Sequence, residues 1–133
     1  MSDPAATRCL IVEDSLISRT VLEGFVDHHP DLALAGSVGT LADAAARLNQ
    51  GGIQLVLLDV ELSDGSGVNL ARRLDRDVQC IFVTGEEAYA RDAYQHRAAD
   101  FLLKPVGYRR FEEAIERAHK LARPTDVRGA AAG

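Results

Sequence analysis

Glu13-Asp14, Asp59, Thr84 and Lys104 are the residues whose types and setting could do chemistry together. Each follows a run of strand-forming apolar residues: Cys9-Leu10-Ile11-Val12, Leu55-Val56-Leu57-Leu58, Cys80-Ile81-Phe82-Val83 and Phe101-Leu102-Leu103. In a parallel α/β sheet ligands bind outside the carboxyl ends of the strands, so residues far apart in sequence can converge there. Converged, this set presents three carboxylates, one hydroxyl and one ammonium. A hard divalent cation, most naturally Mg²⁺, takes a few carboxylates plus waters and phosphate oxygens. The ammonium and the hydroxyl can each hold a further phosphoryl oxygen. Asp59, ionised at neutral pH, is the candidate nucleophile and would form an acyl phosphate. Catalysis by such a set is mostly positioning and charge neutralisation.

Each residue also has a plainer role. Asp14 can N-cap a helix beginning near Ser15, and Asp59 can cap likewise. Thr84 can close a hydroxyl turn, and Lys104 can be a solvated surface charge. The succession of all four signals at strand ends favours the joint reading.

The elements that must place these residues alternate between two periodicities. Residues 8–13 read as a buried strand, followed by a helix from about Ser15 to His28 with Ile17, Val21, Leu22, Phe25 and Val26 on one side. Leu32 to Ser37 is a second strand. Thr40 N-caps a helix with the stripe Leu41, Ala44, Ala45 and Leu48, and Asn49-Gln50-Gly51-Gly52 stops it. Ile53 to Asp59 is too continuously apolar for a half-exposed sheet and reads as a buried parallel strand. A loop at Ser63–Gly67 leads to a helix ending near Leu74. Gln79 to Val83, a helix over about Glu86 to His96, and Ala99 to Leu103 follow. A last helix, Gly107 to Leu121, carries Phe111, Ala114, Ile115, Ala118 and Leu121 inward and ends at Arg123-Pro124. Five βα units in succession predict an α/β fold, a doubly wound five-stranded parallel sheet with helices on both faces. Residues 1–6 and 123–133 are expected to be a disordered N-terminus and a disordered tail or linker around one domain, 7–122.

Bulk properties narrow the class. A chain of 133 residues with 47% hydrophobic and 26% charged residues can bury a core without metal or disulfide staples. No apolar run reaches the ~18 residues of a membrane span, and Met1-Ser2-Asp3-Pro4 lacks the flank of a secretory signal. A cytoplasmic protein is expected, with no membrane partner. The net charge of −5 argues against direct nucleic-acid binding by this domain. Cys9 and Cys80 fall in predicted strands and read as buried thiols. His28, His29, His96 and His119 are expected at helix ends or on outer faces, without metal-ligand spacing. Arg97, Arg109, Arg110 and Arg117 read chiefly as solvated helix surface, and Tyr94 as the candidate exposed interface aromatic.

The segments Leu10-Ile11-Val12-Glu13-Asp14-Ser15, Leu57-Leu58-Asp59-Val60-Glu61-Leu62, Gly65-Ser66-Gly67, Phe82-Val83-Thr84-Gly85 and Asp100-Phe101-Leu102-Leu103-Lys104-Pro105-Val106 resemble a response-regulator receiver domain of two-component signalling. The likeness covers about residues 7–122. Ala93-Tyr94 and Arg110-Phe111-Glu112-Glu113-Ala114 make it most similar to receivers attached to LytTR-type DNA-binding domains. The resemblance implies a flavodoxin-like (βα)₅ fold with strand order 2-1-3-4-5, which separates Cys9 from Cys80 by one strand, too far for a disulfide. It implies that Asp59 accepts a phosphoryl group from a sensor histidine kinase or phosphotransfer protein. Mg²⁺, or Mn²⁺ in its place, would be held by Glu13, Asp14, Asp59 and the backbone carbonyl of Glu61. It further implies a cis Lys104-Pro105 bond and a switch made of Thr84 and Phe101. That switch remodels the face of the fourth helix, fifth strand and fifth helix for an output domain, a protein partner or a phosphorylation-dependent homodimer. A buried core position is the plainer reading of Phe101.

Leu62-Ser63 stands where such domains often have Met-Pro, which suggests a less rigid loop. Glu61 adds a carboxylate near the site, and Gly85 should leave the pocket open. Two rival functions share parts of this pattern. A Mg²⁺-dependent aspartyl-nucleophile phosphatase would place its acid/base residue at Glu61. A flavodoxin-like cofactor binder would need a Gly-rich phosphate loop after the first strand, where this chain has carboxylates. The leading reading is a phosphorylation-controlled binding module, which catalyses only its own phosphorylation and dephosphorylation.

Overall fold

The computed structural model describes residues 6–86 and 98–132, with side chains described through Ala122. In chain order the elements are β1 (Thr7–Val12), α1 (Leu16–His28), β2 (Leu32–Val38), α2 (Leu41–Asn49), β3 (Leu55–Asp59), β4 (Glu61–Leu62), β5 (Gly65–Ser66), α3 (Gly67–Arg72), β6 (Gln79–Thr84), β7 (Asp100–Leu103) and α4 (Tyr108–Ala132). Most of the helix predicted over 86–96 lies outside the described residues, and with it Ala93, Tyr94, His96 and the neighbouring Arg97.

Five strands form one parallel sheet in the order β2-β1-β3-β6-β7. This is the expected 2-1-3-4-5 winding once the short antiparallel β4-β5 hairpin, which the sequence did not announce, is left out of the count. All of β3 is buried, as its unbroken apolar run requires of a central strand. Alternate residues feed two cores, because strand side chains point to opposite faces in turn. Cys9, Ile11, Leu57 and Ile81 meet Leu22 and Val26 of α1 and Phe111, Ala114 and Ile115 of α4. Leu10, Val56, Leu58 and Phe82 meet Ala44 of α2 and Ala71 of α3 on the other face. Each fully buried Leu, Ile or Phe contributes roughly 1.5–3 kcal/mol of transfer free energy. Cys9 pairs with Leu55, and Cys80 with Val56, so β3 lies between the two free thiols.

Local signals set the boundaries. Ser15 caps α1 by accepting from the Ser18 N–H, so Asp14 is not the cap. Thr40 caps α2 through the Asp43 N–H. Gly51 and Gly52 take φ of 78° and 80°, a conformation that favours glycine, just past the end of α2. α4 does not stop at Arg123-Pro124 but continues to Ala132. Pro124 removes one backbone donor, whose i−4 acceptor belongs to the exposed Lys120, where water can serve the carbonyl. The alanines around it favour helix.

Two faces differ from expectation. Ile17 and Val21 are 79% and 40% exposed, leaving Leu22 and Val26 to bury α1. Leu121, expected inward on α4, is 51% exposed. Ile17 and Val21 instead line a cleft with Lys104, Pro105 and Val106.

The loop after β3 is also better fixed than Leu62-Ser63 suggested. The hairpin closes it, Gly67 donates to the Val60 carbonyl, and both Asp64 oxygens accept from the first N–H groups of α2, at 2.9 Å from Leu41 and 3.1 Å from Ala42. These backbone bonds, led by that to Leu41, pull the Asp64 carboxyl below its ordinary range. Gly67 itself lies on the backbone of Asp59, where a Cβ would overlap the Asp59 carbonyl oxygen. Gly67→Ala is therefore expected to cost ~1–3 kcal/mol by overpacking, read as a lowered midpoint in thermal unfolding. An unchanged midpoint would show that the Asp59 strand end yields freely.

Candidate functional site

The parallel sheet brings the strand-end residues together. Glu13 follows β1, with its N–H on the Val38 carbonyl, and is fully buried. Asp59 ends β3 at 5% exposure, and Thr84 ends β6 at 1%. Lys104 follows β7, and its N–H donates to the Thr84 carbonyl, which extends the β6-β7 ladder by one residue. The Lys104-Pro105 peptide is cis. Lys104 Nζ lies 2.7 Å from Glu13 Oε1 and 3.2 Å from Asp59 Oδ2. One oxygen each from Glu13, Asp14 and Asp59 falls within 4.8 Å of the others. Above them opens a cavity of about 460 Å³ whose lining includes Asp14, Asp59, Glu61, Thr84, Glu86 and Lys104. Phe101 stands apart, half-buried on β7 against the α2–α3 core, and Pro105 lines a separate apolar cleft with Ile17 and Val21.

The plainer roles are partly present as well. Asp59 Oδ1 accepts from the Glu61 N–H at 3.1 Å, and Thr84 Oγ1 accepts from the Glu86 N–H at 3.1 Å. Neither consumes the group. Asp59 keeps Oδ2 toward Lys104, and a hydroxyl that accepts can still donate its own proton.

Two carboxylates so close cannot both ionise easily. Burial, then hydrogen bonding and charge from Glu13, push Asp59 up to about 7. Burial works against the Glu13 anion too, but hydrogen bonds from Asp59, Lys104 and the Ser15 N–H outweigh it and hold Glu13 low. Lys104 also loses hydration, yet Glu13 and Asp59 together raise its pKa. The site thus holds excess negative charge in oxygen ligands only. That donor set fits a hard divalent cation, and Glu13, Asp14 and Asp59 could hold one.

The family model for the "Response regulator receiver domain" matches residues 9–116. This chain belongs to the receiver-domain family of response regulators. It is 31% identical over 121 residues to an uncharacterized response regulatory protein of Shewanella oneidensis, covering 90% of this chain and 51% of that protein. It is 32% identical over 114 residues to the sensory transduction protein LytT of Enterococcus faecalis, covering 84% and 47%. The chain therefore spans about half the length of the curated relatives it matches. Among solved structures, the response regulatory domain of MrkE from Klebsiella pneumoniae superposes with a TM-score of 0.80 at 21% identity, over 89% of this chain and 99% of that one. A CheY-like receiver from Methanospirillum hungatei gives 0.79 at 21%, over 90% and 98%. Both establish the fold.

Several working residues of this receiver were not legible in sequence. Glu86 enters the cavity two residues after Thr84. Arg19 reaches back to the Glu13 carbonyl at 3.1 Å. Asp100, buried at the start of β7, takes a bidentate pair of bonds from Arg110 at 2.8 and 2.9 Å, with Arg117 at 3.5 Å. Those contacts outweigh the cost of burial and hold the Asp100 carboxyl low. Arg110 is thus not simply solvated surface, and an Asp inside an apolar strand start was the available signal. His29, expected at a helix end, caps α1 but is buried, with Nδ1 accepting from the Asp31 N–H.

Proposed function

We propose that this receiver domain accepts a phosphoryl group on Asp59 from a phosphohistidine of a sensor histidine kinase or phosphotransfer protein. The observation that carries the reading is Asp59 itself, set beside Glu13, bridged to it by Lys104 and lining the open cavity. A carboxylate oxygen of Asp59 attacks phosphorus, the P–N bond breaks, and the imidazole departs with the electron pair. Mg²⁺ held by Glu13, Asp14, Asp59 and the Glu61 carbonyl would neutralise phosphoryl oxygens during transfer. Lys104 would then leave Asp59 for a phosphoryl oxygen, and Thr84 would turn its hydroxyl proton inward. Phe101, half-buried at the neighbouring strand, is the residue whose ring would follow Thr84.

A protein donor is supported by the apolar surface beside the site. Leu16 and Ile17 are 68% and 79% exposed on α1, next to the cleft that Pro105 and Val106 line. A partner helix could cover them while presenting its histidine to the cavity. The proposed output is a downstream domain, in keeping with a chain that covers 47% of the LytT relative, or else a protein partner or a second copy. The domain acts as a signalling module, its catalysis limited to its own phosphorylation and dephosphorylation. The phosphatase alternative is not favoured, since the match to receivers spans both Asp59 and Glu61.

Incubation with acetyl phosphate, followed by intact mass, is expected to show one phosphoryl adduct that requires Mg²⁺ and is lost in EDTA. Beryllofluoride, which mimics the phosphoryl group without needing a donor, should shift the amide NMR signals of Thr84 and Phe101. The absence of both the adduct and the shift would overturn the proposal.

A further inference from the structure

We propose that Arg19 is a positioning residue for the cation site, acting through the backbone that carries Asp14. The inference rests on reading Glu13, Asp14 and Asp59 as that site. Glu13 is held on three sides: its N–H by Val38, its Oε2 by the Ser15 N–H, its Oε1 by Lys104. The fourth tie is its carbonyl, which accepts from Arg19 at 3.1 Å. That carbonyl belongs to the peptide unit leading into Asp14, the exposed member of the set. Arg19 therefore fixes the plane from which Asp14 departs. α1 supplies the anchor: the Arg19 main chain is held in the first turn, where its N–H donates to the Ser15 carbonyl.

Gly39 gives an independent handle on the same guanidinium. A Cβ at Gly39 would stand 2.7 Å from the terminal Arg19 nitrogen, but 3.7 Å from the Glu13 carbonyl oxygen and 3.9 Å from the Asp14 Cα. The last two are ordinary contacts. An alanine there presses on Arg19 and on nothing else in the acidic turn.

Charge and position make opposite predictions. Arg19 is a cation near a cation site, so its charge alone opposes Mg²⁺ binding. Removing that charge would tighten binding, whereas releasing the Asp14 backbone would weaken it. Groups that orient metal ligands typically lose about tenfold or more in metal affinity when removed.

The test is Mg²⁺ affinity by titration calorimetry on the wild-type chain, Arg19→Met, Arg19→Lys and Gly39→Ala, with thermal unfolding in EDTA alongside. Arg19→Met is expected to bind Mg²⁺ about five- to tenfold more weakly. Arg19→Lys, which restores a donor and the charge, should recover part of that loss. Gly39→Ala should weaken binding a few-fold while its unfolding midpoint stays near wild type. Arg19→Met binding as tightly as wild type, or more tightly, would overturn the proposal. If Arg19→Met fails to fold, unchanged Mg²⁺ affinity in both other variants overturns it equally. A wild-type chain that binds no Mg²⁺ would instead defeat the reading of the acidic site on which the proposal stands.

Discussion

Replacing Asp59 with Asn is expected to abolish phosphoryl uptake and, at the same time, to make the metal-free protein more stable by about 2 kcal/mol at pH 8. The first effect follows from removing the nucleophile. The second follows from the cost of keeping two carboxylates together. Asp59 is pushed from 3.8 to about 7 by burial and by Glu13. Between those values the folded chain holds a proton that the unfolded chain has released, so stability falls as pH rises through the window. A shift of about three units corresponds to ~4 kcal/mol at most, at ~1.4 kcal/mol per unit. Asn relieves the repulsion but also removes one of the two carboxylates facing Lys104, which offsets about half of that gain. The midpoint should rise by roughly 5–10 °C at pH 8. Near pH 5, where wild-type Asp59 is protonated, the gap should nearly close. Comparing the two proteins in EDTA at both pH values isolates Asp59 from the rest of the titration. A less stable variant at pH 8, or a gap indifferent to pH, would mean that the pair is not repulsive.

Lys104→Met should act in the reverse sense on stability. Methionine keeps the apolar stem but removes the ammonium 2.7 Å from Glu13 and 3.2 Å from Asp59. Breaking a buried ionic set by deleting one partner costs roughly 3 kcal/mol. The loss should be largest at pH 8 and smaller near pH 5, where one proton shared by the carboxylates takes over from the ammonium. Mg²⁺ should bind more tightly, on the order of tenfold, because a competing cation has left. Phosphoryl uptake should nonetheless slow by about 10² or more if Lys104 meets a phosphoryl oxygen as proposed. Titration calorimetry and the rate of adduct formation separate the two. Weaker Mg²⁺ binding would show that Lys104 builds the carboxylate cluster rather than competing for it.

The strands were legible because each is a short apolar run closed by a polar residue, and β3 carries the signal most plainly. The convergence of Glu13, Asp59, Thr84 and Lys104 followed from that pattern and from the rule for parallel sheets. What escaped was everything decided by side chains crossing between elements. No periodicity announces that Arg19 reaches a carbonyl six residues earlier, or that Asp64 caps a helix begun before it in the chain. The apolar helix faces are also narrower than the periodicity suggests. Ile17, Val21 and Leu121 fit an apolar stripe by spacing, but spacing does not say how wide a sector of the helix the sheet covers, and all three are exposed. Arg123-Pro124 reads as a stop, but the carbonyl that Pro124 leaves without a donor belongs to the exposed Lys120, and α4 runs on to Ala132.

The Asp100–Arg110 pair bears on how a message could leave the domain. Asp100 Oδ1 accepts from the Phe101 N–H, and Arg110 donates to the Phe101 carbonyl at 3.0 Å. The Phe101 carbonyl is thereby tied directly to the first turn of α4, and its N–H is tied to it through the Asp100 carboxylate that Arg110 also holds. Those ties act on the main chain, so the ring would move by rotation about its side-chain bonds. If Phe101 moves as proposed, the edge of the sheet behaves as a fixed bearing with a single pivoting part. A partner touching β7 and α4 would then read the outline of one aromatic ring against a tied main chain, and the signal would be a change of shape without a change of fold.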